Sequence, residues 1–90
     1  MSFPYKDGEI KVIIAKQDCE LGNHYHKIKT EEFKLIKGVA RSVVDGFDTW
    51  LVSGSEITIY PNEVHSFLIE KDSILFCICS HPYDKTDDYE

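Results

Sequence analysis

The chain has 90 residues, of which 42% are hydrophobic, and a formal net charge of -6. One domain of this size buries only about 60–65% of its unfolded surface, so its core is modest, yet the composition is that of a folded chain and not a disordered one. The negative charge argues against a nucleic-acid backbone as partner, and no apolar run approaches the ~18–20 residues of a membrane span.

The first residues, "MSFPYKDGEIK", lack an apolar signal core and a cleavage site, so the sequence reads as having no secretory signal. Short β-type runs then follow in order: 10–16, 23–28, 32–38, 39–46, 48–53, 55–61, 65–71 and 73–80. Turn signals separate them at Asp7-Gly8, Gly22-Asn23, Gly38, Asp45-Gly46, Gly54, Pro61-Asn62 and Lys71-Asp72. Strands at this spacing predict an all-β sandwich or barrel. "VVDGFDTW" predicts a hairpin, because Asp-Gly suits a type I′ turn. A weak helical period across 27–37 competes with β-rich Phe33, Ile36 and Val39, and loses to them. The tail, about 82–90, is acidic and poor in apolar residues, and predicts an extended or partly disordered end to a single 1–90 domain.

The three cysteines are an odd number. Cys77 and Cys79 share a strand face at i, i+2, too far apart for a disulfide, so all three read as reduced thiols in a cytoplasmic protein. Two of the four histidines, His24 and His26, also stand at i, i+2. On a strand they point to one face, with Tyr25 opposite, and a metal at about 2.0–2.1 Å from each nitrogen fits between such rings. Glu31 follows after room for a bend, and His65 comes after the turn "YPNEVHSF". Three imidazoles and a carboxylate suit one divalent first-row ion, Fe, Mn, Co, Ni, Cu or Zn, with open positions for a ligand. The plainer alternative is a chance His-x-His on an exposed strand.

The segment "GNHYHKIKTEEFKLIKG" resembles the first motif of the cupin superfamily: His-x-His, four residues, Glu, six residues, Gly, here His24, His26, Glu31 and Gly38. "YPNEVHSF" resembles the second motif, with His65 in the ligand position. Two residues depart from that motif: Asn62 stands where a glycine is usual, and Ile69 where an asparagine is. Asn tolerates left-handed backbone, so the turn survives. The resemblance implies a small antiparallel β-barrel, or jelly roll, with a central pocket and one metal ion held by His24, His26, Glu31 and His65. The spacing to Gly38 selects Glu31 over Glu32, which is left as a surface charge.

Strand parity then places Phe33, Leu35 and Lys37 on the face of Glu31, and Phe67 and Ile69 on that of His65. These predict an apolar substrate pocket lined by Phe33, Leu35, Lys37 and Phe67, with Lys37 its only cation. Lys27 and Lys29, out of step with the two histidines, read as an outer face. Tyr60 is a candidate acid at the pocket mouth or a packed strand aromatic. Phe47 and Trp50 read as core or dimer contacts. Arg41 is either an outer charge or an anion contact, and His81 is an exposed residue.

The end "DSILFCICSHPYDKTDDYE" looks like the last strand and tail of the sugar-nucleotide 3,4-ketoisomerases, a cupin branch, through Tyr83-Asp84 and Asp88-Tyr89. That resemblance implies a metal-free isomerase or epimerase in which His24 and His26 act as acid and base, assisted by a tyrosine. Three functions therefore stand. The first is a metal-binding cupin, an isomerase, lyase or dioxygenase type, acting on a small polar and carbohydrate-like molecule. The second is the metal-free isomerase, and the third a non-catalytic ligand-binding or sensor module. Exposed strand edges of so small a barrel predict a homodimer.

Overall fold

The structure, a computed structural model, describes residues 2–89. It is built of strands β1 (Ser2–Tyr5), β2 (Gly8–Ile14), β3 (Cys19–His24), β4 (Glu31–Lys37), β5 (Val39–Val44), β6 (Phe47–Val52), β7 (Glu56–Ile59), β8 (His65–Ile69) and β9 (Ile74–Cys79). One 3₁₀ turn follows at Lys85–Asp87. The strands form two antiparallel sheets, a five-stranded one in the order β1-β2-β9-β4-β7 and a four-stranded one in the order β3-β8-β5-β6. The all-β jelly-roll expectation holds, and 27–37 contains no helix.

Alternation explains which side chains turn inward. In β4, Glu31, Phe33 and Leu35 are buried while Glu32 and Lys34 are exposed. In β8, His65, Phe67 and Ile69 are buried, and in β9, Leu75, Cys77 and Cys79. Leu35, Ala40, Leu51, Ile59, Phe67, Ile69 and Leu75 close the core between the sheets. Each large side chain there contributes about 1.5–3 kcal/mol through removal from water. The polar members, Glu31 and His65, are the first residues of their strands. The interior is therefore apolar at one end and ionisable at the other.

The turns follow their chemistry. Asp45 and Gly46 both have positive φ, 48° and 85°, as a type I′ hairpin between β5 and β6 requires. Asn62 takes the left-handed conformation expected of it, φ 71°. Gly38, at φ 100°, passes so close to Ser73 that a Cβ would collide with it. Ser73 Oγ there bonds both the N–H and the carbonyl of Val39.

Several expectations are corrected. β1 was not anticipated, because Pro4 breaks the pattern; as an edge strand it tolerates the missing N–H. Gly22-Asn23 is not a turn. It lies inside β3, where the register to β8 shifts between Leu21 and His24, so the expected strand 23–28 instead ends at His24. The tail is not loose. Asp84 caps its 3₁₀ turn through the Thr86 N–H, and Tyr89 pairs with Tyr25 through two backbone hydrogen bonds of 2.9 and 3.0 Å. Phe47 and Trp50 are 79% and 61% exposed, so of the two readings, core or dimer contact, the core one is overturned. Arg41 lies outside and pairs with Asp48 at 2.7 Å, and His81 is exposed as expected.

Candidate functional site

His24, His26, Glu31 and His65 meet at the polar end of the interior. One ligand atom from each lies within 4.8 Å of all the others. Glu31 opens β4 and His65 opens β8, facing each other across the two sheets. His24 closes β3 behind the register shift, a device that re-aims a side chain near a site. His26 lies beyond the strand, held by the tail. The ring centres of His24 stand 4.8 Å from His26 and 4.4 Å from His65. The expected convergence therefore occurs, but through a bulge and the tail and not through regular i, i+2 pairing.

The hydrogen bonds around the rings decide which atoms face the centre. His26 Nδ1 lies 2.6 Å from the carbonyl oxygen of Asp87, and His65 Nδ1 3.0 Å from that of Glu63. A carbonyl can only accept, so each Nδ1 donates, and a neutral ring then turns a bare Nε2 inward. Both Nε2 atoms stand 3.3 Å from one oxygen of Glu31, Oε1. His26 Nε2 and Glu31 Oε1 are buried without any hydrogen-bond partner. Lone pairs pointed at one another in a dry interior are costly unless a proton or a cation stands between them. The residues thus fit a metal ion: donors at 2.1 Å lie at most about 4.2 Å apart, so shifts of a few tenths of an ångström close the set.

Burial alone would raise the Glu31 pKa, but the approach of His65, the Lys29 ammonium and the His26 ring outweigh it and hold the carboxyl at about 2, below its usual 4.5. Burial, together with His65, lowers the His24 pKa, which keeps that ring neutral and free to ligate or to accept a proton. The second oxygen, Glu31 Oε2, faces the thiols of Cys79 at 3.7 Å and Cys77 at 3.8 Å. The two sulfurs are 3.5 Å apart and unbonded. Their hydrogen bond, burial and the Glu31 charge push the Cys77 thiol far up, so it stays protonated and donates. All cysteines are free, as expected.

A cavity of about 300 Å³ opens over this cluster, lined by His24, His26, Glu31 and His65 and by Phe33, Phe67 and Cys77. Phe33 and Phe67 take their predicted places, with ring centres 4.6 Å apart. Three other predicted residues do not reach the cavity. Leu35 is inward but fully buried in the apolar end. Lys37 is exposed, because the register of β4 on β9 shifts between Leu35 and Lys37 and breaks the parity. Tyr60 is 60% exposed: Ile59 before it points inward, so Tyr60 points out, its N–H bonded to Glu63. The cations of the cavity are instead Lys11 and Lys29. Lys29 is 4% exposed and not on an outer face. It lies before β4, outside the paired strand, where parity gives no guide. Lys11, from β2, and Tyr83, Asp88 and Glu20 are among the lining residues that sequence reasoning missed, with Ile13, Leu21 and Gly22. Burial opposes the Lys11 charge, and the field of Cys79, Glu31 and Glu9 overrides it and raises its pKa.

No family model matches the chain. No curated protein matches it in sequence. Solved structures do match in shape. The capsular polysaccharide assembling protein CapF from Staphylococcus aureus superposes with a TM-score of 0.80 at 19% identity, over 91% of this chain and 26% of that one. The 3'-monoepimerase ChmJ from Streptomyces bikiniensis, in complex with dTDP-quinovose, gives 0.80 at 16% identity, over 88% of this chain and 48% of that one. A double mutant of the QdtA 3,4-ketoisomerase from Thermoanaerobacterium thermosaccharolyticum, in complex with TDP, gives 0.79 at 21% identity, over 88% and 62%. The fold is the all-β jelly roll that these structures share. The chain spans from about a quarter to just under two thirds of the length of these three proteins. Among the described residues no helix is long and apolar enough to cross a membrane.

Proposed function

We propose that this cupin binds one divalent transition metal through His24, His26, Glu31 and His65, and holds or transforms a small polar, carbohydrate-type molecule beside it. The observation that carries this reading is the pair of orphaned atoms, His26 Nε2 and Glu31 Oε1, in rings and carboxylate already oriented from behind. The metal would supply a Lewis acid with positions open to a ligand. The chain's own residues do the rest. The Asp87 and Glu63 carbonyls fix the tautomers of His26 and His65, the two thiols steady Glu31, and Phe33 and Phe67 exclude water from one wall. The cavity, about 300 Å³, lies at the lower end of the range of about 300–1,000 Å³ usual for small-molecule sites. Free thiols favour a cytoplasmic setting.

A second reading is a metal-free sugar-nucleotide isomerase or epimerase. It is favoured by the shape of its neighbours and by Tyr83, which lines the same cavity as His24 and could assist an acid–base pair. Elemental analysis of untagged protein beside His24→Ala and Glu31→Ala separates the two. Close to one transition-metal ion per chain, lost in both variants, is the expected result. No metal after loading with Fe, Mn, Ni and Zn would sink the metal reading and send the protein to nucleotide-sugar assays. Binding without turnover there would make it a ligand-binding module.

A further inference from the structure

The cavity is electrically divided. Lys11, on β2, and Lys29, before β4, belong to the five-stranded side. Glu20, on β3, and Asp88, in the tail, lie on the side of His24. Lys29 is 4% exposed and forms no ion pair among the described residues. Burial this deep is rare for a long ammonium side chain, and its charge acts on the Glu31 carboxylate in the same cavity. Lys11 has one carboxylate, Glu9, at 3.6 Å. Both ammonium nitrogens lie 5.9 Å from the centre of the Tyr83 ring, at cation–π range. A buried lysine and a half-buried one, near the same ring in a cavity also lined by Phe33 and Phe67, offer charged donors to an oxyanion.

We propose that Lys11, Lys29 and Tyr83 form an oxyanion subsite, and that the ligand of this cupin is a small organic anion, a carboxylate or a phosphate monoester. Its charged group lies against the lysines and its remaining polar groups reach toward the histidine cluster. This rests on the cavity being the ligand site, as above, and narrows the ligand from polar to anionic; it does not require the metal.

The experiment is a heteronuclear NMR titration of wild-type protein with malonate, inorganic phosphate and, as a neutral polyol, glycerol. It is run on metal-loaded and on EDTA-treated protein, at constant ionic strength. The expected result is saturable shifts at Lys11, Lys29 and Phe33 with an anion and none with glycerol, in both forms of the protein. Lys29→Gln weakens binding by about tenfold or more, and Lys29→Arg retains it, since loss of a charged hydrogen-bond donor to an oxyanion has effects of that order. Metal content in Lys29→Gln stays that of wild type. Should Lys29→Gln fail to fold, Lys11→Gln makes the same test. Stronger binding of malonate assigns a carboxylate, and of phosphate a phosphate ester. Three results would overturn the proposal: no saturable anion binding, equal binding by wild type and the lysine variants, or glycerol binding as well as the anions. Anion binding confined to metal-loaded protein and indifferent to Lys29→Gln would likewise overturn it, by making the anion a metal ligand. Lysine-dependent binding in a protein that never takes up metal would uphold this subsite while removing the metal reading.

Discussion

Single residues carry the geometry of this site where a neighbour will not serve. Asn62 holds φ 71° in the turn before His65, and its N–H reaches the His26 carbonyl at 2.5 Å. It therefore couples the two histidine segments through backbone alone. A left-handed conformation costs an ordinary L-residue about 1–2 kcal/mol, less for Asn and nothing for Gly. Asn62→Ala should lower stability in urea by about 1 kcal/mol, and Asn62→Gly should change it by less than about half that. An equal loss in both would mean that the Asn side chain, and not the backbone angle, matters there. Glu31 is the other such residue. The spacing to Gly38 made it legible against Glu32, and in β4 it is buried in phase with Phe33 and Leu35 while Glu32 is exposed. Alternation, applied from His24 and His26, misplaced Lys29, because those histidines stand on either side of an irregular strand end and carry no common phase with β4.

At the scale of elements, the tail is the part that sequence pattern undervalued. Asp87 is 5% exposed; its carboxylate accepts the N–H groups of Lys27 and Ile28, at 2.8 Å and 3.2 Å, while its carbonyl takes the His26 Nδ1 proton. Tyr89 stacks on Tyr25 with ring centres 5.1 Å apart. An apolar-poor segment reads as loose because its contacts are polar and lie some 60 residues away in sequence. Asp87→Ala leaves two backbone donors unpaired and should cost about 1–3 kcal/mol. Because the same turn orients His26 from behind, metal affinity should fall by roughly 10–100-fold. Hydrogen exchange at the Lys27 and Ile28 amides, with a metal titration, checks both. Unchanged affinity beside faster exchange would detach the tail from the site. Strands β4, β8 and β9, by contrast, follow their alternation closely, because each is paired on both sides and has one face in the core.

For the whole molecule, the unsettled surface is apolar. Phe3, Ile14 and Ile36 are 47%, 55% and 49% exposed on the five-stranded sheet, and Trp50 and Val52 are 61% and 58% exposed on edge strand β6. Open edges and exposed apolar side chains favour association, and the homodimer read from the sequence remains our proposal. Light scattering at micromolar concentration should give twice the 10.4 kDa chain mass, and a monomeric mass would remove the dimer.

The sequence by itself determined the all-β class and the Asp45-Gly46 hairpin, through β propensity and turn angles, and the candidate donors His24, His26, Glu31 and His65. Its resemblance to two known motifs supplied the grouping of those four and the left-handed turn at Asn62. Tertiary structure alone decided the rest. The β3 bulge, the outward turn of Lys37, the burial of Lys29 beside Lys11, and the tail over His26 all depend on where a strand's partner stops pairing in register. Parity is a property of a paired strand, and it lapses at a bulge, a loop or an unpaired tail. Those are the places from which this protein assembles one wall of its cavity.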